Sequence, residues 1–184
     1  MINKKFKRAD LLLSLCGLNC SLCPMFVDER CSGCHEGSLC YQACQIAPCS
    51  IKHGNIDYCF ECKEYPCDKY DDIELYDSLI THRNQKKDLE KAKTIGIENY
   101  HKEQLEKKEM LNHLLNRYTI ADRHIFFCLA VNLLEVDDLK QILKKSDEST
   151  KDMDLKQKSD YIKHELDELG KKRNIILKLN AGRY

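Results

Sequence analysis

Hydrophobic residues recur at helical spacing over the later part of the chain and are sparse in the earlier part. Pro66 followed by Asp68, Asp71 and Asp72 has the form of a helix start, and predicts a helix over 68–81. A second helix is expected over 85–95, with Gly96 at its C-terminal stop. Leu105, Leu111, Leu114 and Leu115 predict a third over 98–117. From Ile125 to Leu134 only Asn132 is polar, the pattern of a buried central helix, with Asp122 as its N-cap. Asp137 or Asp138 can cap a helix ending near Lys145, and 146–153 read as a polar turn. Asp154 opens the last long helix, with Leu155, Tyr161, Ile162, Leu166 and Leu169 on one face and Gly170 as its stop. The tail Asn174 to Leu179 is β-branched enough for a short strand. Leu11 to Leu15 is a short apolar segment, a strand or a helical turn.

The pattern predicts a mainly α fold, with a small α+β arrangement as the variant. Residues 11–70 would form a Cys-rich, metal-stapled domain and 71–180 a helical one. Residues 16–70 hold few aliphatics, chiefly Leu18, Leu22, Val27, Leu39, Ile46, Ile51 and Ile56. A unit of this size cannot bury enough apolar surface to fold alone, and natural domains of that size use metals or disulfides as staples.

The cysteines supply such staples. Eleven of the twelve lie between Cys16 and Cys67, and three pairs have Cys-x2-Cys spacing: Cys20/Cys23, Cys31/Cys34 and Cys59/Cys62. Two thiolates so spaced can chelate one ion from a tight turn. Formal net charge is zero, which gives no electrostatic reason to bind nucleic acid or an anionic membrane. Zinc held by four thiolates carries about −2, so two such sites would leave the loaded protein near roughly −4. No stretch reaches the roughly 18–20 apolar residues of a membrane span. Lys4, Lys5, Lys7 and Arg8 before the run Leu11 to Leu18 imitate a secretory signal. That run is short, contains Cys16, and is followed by no A-x-A-like site. Leu15 before Cys16 departs from a lipoprotein signal. The expected compartment is cytoplasmic, where cysteine clusters read as metal or catalytic sites rather than disulfides.

The motifs resemble a known family. Cys16-Gly17-Leu18-Asn19-Cys20-Ser21-Leu22-Cys23-Pro24, Cys31-Ser32-Gly33-Cys34, Cys44-Gln45-Ile46-Ala47-Pro48-Cys49 and Cys59-Phe60-Glu61-Cys62-Lys63-Glu64-Tyr65-Pro66-Cys67 are similar to the pattern of domain-of-unknown-function family 3795. This is a prokaryotic family presumed to bind zinc. Arg123 and Phe127-Cys128-Leu129-Ala130 echo a helix of its longer members, which would extend the resemblance over about 11–180. The chain departs from the pattern in its additional Cys40, and in Thr119-Ile120-Ala121 where a Gly-containing turn is expected. The family has no assigned reaction, so the resemblance implies a metal site and no activity.

Ten cysteines match that pattern: Cys16, Cys20, Cys23, Cys31, Cys34, Cys44, Cys49, Cys59, Cys62 and Cys67. Two closed four-cysteine sites would use eight, giving an expectation of about two zinc ions per chain. One pairing to expect joins Cys31/Cys34 with Cys59/Cys62. His35 and His53 are candidate extra ligands. Cys67 at a helix start would be shifted toward thiolate, while Cys128 in the most apolar helix reads as an inert buried thiol. His82, His101, His113 and His164 read as solvated. Tyr118 with Arg123 reads as an ordinary interhelical contact, with an anion site as the alternative.

An iron–sulfur cluster is the alternative cofactor. Cys16-x3-Cys20-x2-Cys23 has the spacing of the radical S-adenosylmethionine motif and Pro24 follows it. That chemistry sits on an α/β barrel, and no repeated strand–helix pattern occurs here. No Gly-rich phosphate loop, G-x-S-x-G elbow or His-Glu-x-x-His appears. The expected protein is a structural zinc binder whose helical half is an interaction module for a protein or small ligand, as a monomer or homodimer. The alternatives are an iron–sulfur redox or sensor protein, or an enzyme whose metal keeps an open coordination position.

Overall fold

A computed structural model describes Phe6, residues 8–121 and residues 123–180. The expected Asp122 cap and most of the basic lead lie outside the described residues. The fold is mainly α. Among the described residues there are seven α-helices and no strand: α1 Pro24–Val27, α2 Ile46–Lys52, α3 Gln85–Ile95, α4 Ile97–Tyr118, α5 Arg123–Leu133, α6 Val136–Ser149 and α7 Leu155–Lys172. Short 3-10 turns at Cys20–Leu22, Cys40–Ala43, Cys59–Glu61 and Asp68–Tyr70 shape the Cys-rich part.

Two apolar clusters organise the packing. One joins α4 to α7 around Leu111, Leu114, Phe127, Val131, Leu139, Ile162 and Leu166, and takes Leu22 from the first cysteine turn. The second gathers Phe6, Leu13, Leu15, Ile46, Ala47, Tyr58 and Tyr70 from the Cys-rich part with Leu89, Ala92 and Tyr100 from α3 and α4. The loops around the cysteines therefore rest on apolar surface lent by helices. α5 is buried from Phe127 to Leu133, as a run with one polar residue requires, while its first turn is partly exposed.

Several elements depart from the sequence reading. No helix forms over 68–81: only Asp68–Tyr70 makes a 3-10 turn, and bends follow. Asp77 is the physical reason. Its buried carboxylate accepts from Thr81 Oγ1 at 3.1 Å and from His82 N at 2.7 Å, and competes with helical bonding. Asp72 also takes a positive φ of 56°. Leu11 to Leu15 forms neither strand nor helix; its turns are held by Asp10 Oδ1, which accepts from Leu12 N at 2.8 Å, and bury Leu13 and Leu15.

The helix after α5 begins two or three residues before its expected caps and runs to Ser149, with Glu135 at the N-cap. Its last turn persists because Ser146 faces the core fully buried. Asp138 is instead gripped through both oxygens by Arg173, at 2.9 and 2.7 Å. Asp154 does cap α7, in a reciprocal box with Gln157. Leu155 stands half exposed, off the expected apolar face. Gly170 lies inside α7 and not at its end. The stop is a Schellman motif: Asn174 takes φ 57°, its N–H donates to Lys171 O, and Ile175 N donates to Gly170 O at 2.8 Å.

The tail is not a strand. Side chains hold it: Arg83 donates to Ile176 O at 2.7 Å and to Lys178 O at 2.9 Å, and Asp77 Oδ2 accepts from Asn180 N at 2.8 Å. Beside α5, Ala121 takes φ 40° in the turn where a glycine was expected. An L-residue there carries about 1–2 kcal/mol of steric cost. Ala121→Gly is expected to raise stability by about 0.5 kcal/mol once the added chain entropy is subtracted. Ala121→Val is expected to lower it by more than about 1 kcal/mol. Urea unfolding midpoints of the two variants check both signs.

Candidate metal centre

The Cys-x2-Cys pairs fall on turns of matching construction. Cys23 N donates to Cys20 O at 3.0 Å, and Cys62 N donates to Cys59 O at 3.0 Å, each closing one 3-10 turn. Glu61 steadies the second turn by accepting from Asp57 N at 2.9 Å and Tyr58 N at 3.3 Å. The Cys31/Cys34 pair is built differently, around Gly33 at φ 96°, where a Cβ would come within 2.9 Å of Leu11.

Four cysteines line one cleft: Cys49 from α2, Cys59 and Cys62 from their turn, and Cys67 from the next. Cys31 and Cys34, the expected partners of Cys59/Cys62, do not line it. The cleft floor is anchored by Cys59 N, which donates to Leu15 O at 3.0 Å, and by Tyr70 OH, which donates to Cys16 O at 3.2 Å. No carboxylate lines it, and Lys69 stands at its edge. His53 also lines the cleft, its Nδ1 lying 3.4 Å from Cys49 Sγ and 3.2 Å from Cys49 O. His35 is occupied elsewhere. Its Nδ1 lies 2.6 Å from Glu36 O, which makes that nitrogen the donor and leaves Nε2 to accept from the Ser32 hydroxyl.

The other cysteines form a crowded neighbourhood. Burial pushes the Cys20 thiol well up, and the thiols of Cys34, Cys16, Cys23 and Cys40 push it further. Burial raises Cys34 to about 12, with Cys16 and Cys44 adding like-charge repulsion. Burial likewise raises Cys16 and Cys23 and Cys40 to about 11, and in the cleft it raises Cys59 to about 12. These thiols hold their protons at neutral pH in the absence of a cation. Cys128 is buried in the helical core and raised to about 12 by that burial, as an inert thiol should be. Cys67 precedes a three-residue 3-10 turn rather than a helix, so the expected helix dipole does not act on it.

A tetrahedral zinc site asks for four sulfurs about 2.3 Å from one point. Among the described residues no three His, Cys, Asp or Glu side chains converge that closely. The thiols are gathered without being closed on a centre. The donor chemistry fits: the cleft offers four sulfurs and an imidazole with no carboxylate among its lining residues, the set that soft and borderline cations prefer.

The sequence reading missed the junction beside this region. Asn19, between Cys16 and Cys20, is buried, and its Nδ2 donates to Asp88 Oδ2 at 2.7 Å and Asn132 Oδ1 at 3.2 Å. Its Oδ1 accepts from Tyr100 OH at 2.9 Å. Lys107, also buried, donates to Asn132 O at 3.3 Å. Burial raises the Asp88 carboxyl to about 6, although Lys107 and the Asn19 amide favour its charged form. Asn132, the one polar residue of the apolar run, was the available signal for this node.

The histidines are more engaged than their polar surroundings implied. His101 meets Asp10 at 2.9 Å and His113 meets Asp147 at 3.0 Å. His82 is partly buried and its pKa is lowered by that burial. His164 is exposed as expected. Tyr118 donates to Asp147 and Arg123 to Asp160, each at 2.6 Å, so the two do not share an anion site.

Residues 12–72 match a family model described as "Protein of unknown function (DUF3795)", which is the family that the cysteine motifs resemble. The match covers a third of the chain and stops before α3, so the echo of longer members around Arg123 lies beyond it. Comparison with curated proteins and with solved structures gives no match. No helix among the described residues is long and apolar enough to cross a membrane.

Two measurements follow from this geometry. Gly17 has φ 95°, and a Cβ there would lie 2.4 Å from Gln85 O. Gly17→Ala is expected to destabilise the protein by roughly 2–4 kcal/mol, read by chemical denaturation. Asp88 has a folded pKa above that of an unfolded aspartate, so the native state holds the proton more tightly. Stability should therefore fall as pH rises from about 4 to about 6, by roughly 3 kcal/mol for this group, and change no further above that. Asp88→Asn should flatten that part of the stability–pH curve while keeping an acceptor for Asn19.

Proposed function

We propose that the Cys-rich part binds zinc and that the metal is structural, about two ions per chain. The observation that carries this is the pair of matching turns at Cys20/Cys23 and Cys59/Cys62, each presenting two sulfurs from a Cys-x2-Cys turn closed by a 3.0 Å backbone bond. Zinc would supply a fixed tetrahedral cross-link between turns that share little apolar surface. The residues that would hold it come from Cys16, Cys20, Cys23, Cys31, Cys34, Cys44, Cys49, Cys59, Cys62 and Cys67. Burial keeps Cys34 and Cys59 protonated when free, so loading would release protons and binding would weaken as pH falls.

The helical half serves in this reading as an interaction module for a protein or small ligand rather than as a catalyst. Exposed Leu79 and Ile125 beside Leu179 around a shallow apolar pocket support it, since apolar side chains grouped at a surface favour binding. The protein would act in the cytoplasm, where thiols stay reduced.

Elemental analysis with a visible spectrum, on protein purified with and without air, tests the metal. About two zinc per chain and a colourless sample is the expected result, and removing it with a strong chelator should unfold the Cys-rich part while far-ultraviolet helicity largely persists. Iron with sulfide and a brown anaerobic sample would replace zinc with a cluster. Metal-free protein would overturn the proposal.

A further inference from the structure

The cleft lined by Cys49, Cys59, Cys62 and Cys67 brings together residues from three separate turns of chain. Each cysteine is positioned by a different device. Cys49 sits inside α2. Cys59 is fixed by its backbone bond to Leu15 O, and Cys62 by the turn it closes onto Cys59 O. Cys67 accepts from Tyr70 N at 2.9 Å through its backbone carbonyl. Four sulfurs facing one cleft are the donor number that a closed tetrahedral site requires. Cys31 and Cys34 are outside this cleft.

Resting on the zinc reading above, we infer that Cys49, Cys59, Cys62 and Cys67 form one complete four-sulfur site for a soft or borderline divalent cation, separate from the site or sites built by the remaining cysteines. Cys49, which ends the motif Cys44 to Cys49, then completes the three cysteines of the motif Cys59 to Cys67, and Cys31/Cys34 serves elsewhere. His53 is a positioning residue for this site rather than a ligand. Its Nδ1 lies close enough to Cys49 to donate to the sulfur, while its Nε2 lies 3.5 Å from Glu64 Oε1. An N–H donated to a thiolate fixes the rotamer of that ligand and moderates its charge. Lys69 at the edge offsets the net negative charge of a four-thiolate site.

The test uses the full chain purified with zinc. Zinc is counted by elemental analysis, and free thiols are alkylated with N-ethylmaleimide and mapped by mass spectrometry. In Cys62→Ser the zinc content should fall by about one ion per chain. Cys49, Cys59 and Cys67 should become alkylated together while Cys16, Cys20 and Cys34 stay protected. In Cys20→Ser the cleft four should remain protected. Should Cys62→Ser not fold, Cys62→His keeps a ligand; after exchange with cobalt(II) it should retain thiolate charge-transfer absorption with the intensity of about one sulfur lost. In His53→Ala the zinc count should hold, and alkylation of Cys49 should quicken several-fold relative to Cys20. Exposure of Cys31 and Cys34 together with Cys59 in the Cys62 variant would overturn the assignment and leave zinc binding intact. A wild-type chain with no zinc and freely alkylated thiols would overturn both.

Discussion

The Asn19 amide is the point where the two parts of the molecule lock together. It lies in the first cysteine loop, yet three of its hydrogen bonds reach α3, α4 and α5 through Asp88, Tyr100 and Asn132. A buried amide is tolerated only when it is satisfied, and a buried carboxylate only when donors face it. Asn19 is satisfied in this way by Asp88, Tyr100 and Asn132 Oδ1, while Asn132 Nδ2 has no hydrogen-bond partner among the described residues. Moving the loop by one residue would strand a carboxylate, a phenol and an amide in an apolar setting. Gly17, two residues earlier, lets the loop approach α3 so closely that no side chain fits between them.

That junction explains how loops with so little apolar content are held in place. The cluster beneath them borrows Leu89, Ala92 and Tyr100 from the helices, and Leu22 returns the exchange by entering the helical core. Helix packing sets where the cysteine turns sit. The proposed metal sites would then hold the turns to one another, a separate task that apolar contact cannot perform over so short a stretch. Burial raises the free thiols of Cys34 and Cys59 as it raises Asp88, so metal binding at such thiols would depend on pH.

The long helices were legible because their evidence is local. α3 ends at Gly96, α7 begins at Asp154 with Gln157 three residues on, and α5 is apolar from Ile125 onward but for Asn132. The errors came where a distant or competing partner decides. The stretch 68–81 carries every sign of a helix start, but Asp77 spends its carboxylate on Thr81 and His82 and on the tail at Asn180. The tail is apolar enough for a strand, but the donors it meets belong to Arg83, a side chain. Gly170 resembles a helix stop, while the stop is Asn174 and the glycine admits the returning chain.

By itself the sequence determined the class: a mainly α chain with a Cys-rich part whose spacing matches a family of proteins of unknown function over residues 12–72. Periodicity, capping residues and Cys-x2-Cys spacing act within a few residues, so one dimension is enough to read them. Only the tertiary structure decided which cysteines share a cleft, which acids face which histidines, and that Asn19 joins the two parts. Those relations depend on groups far apart in the chain, Asn19 and Asn132 being 113 residues apart. Spacing along the chain carries no information about which pairs packing brings together.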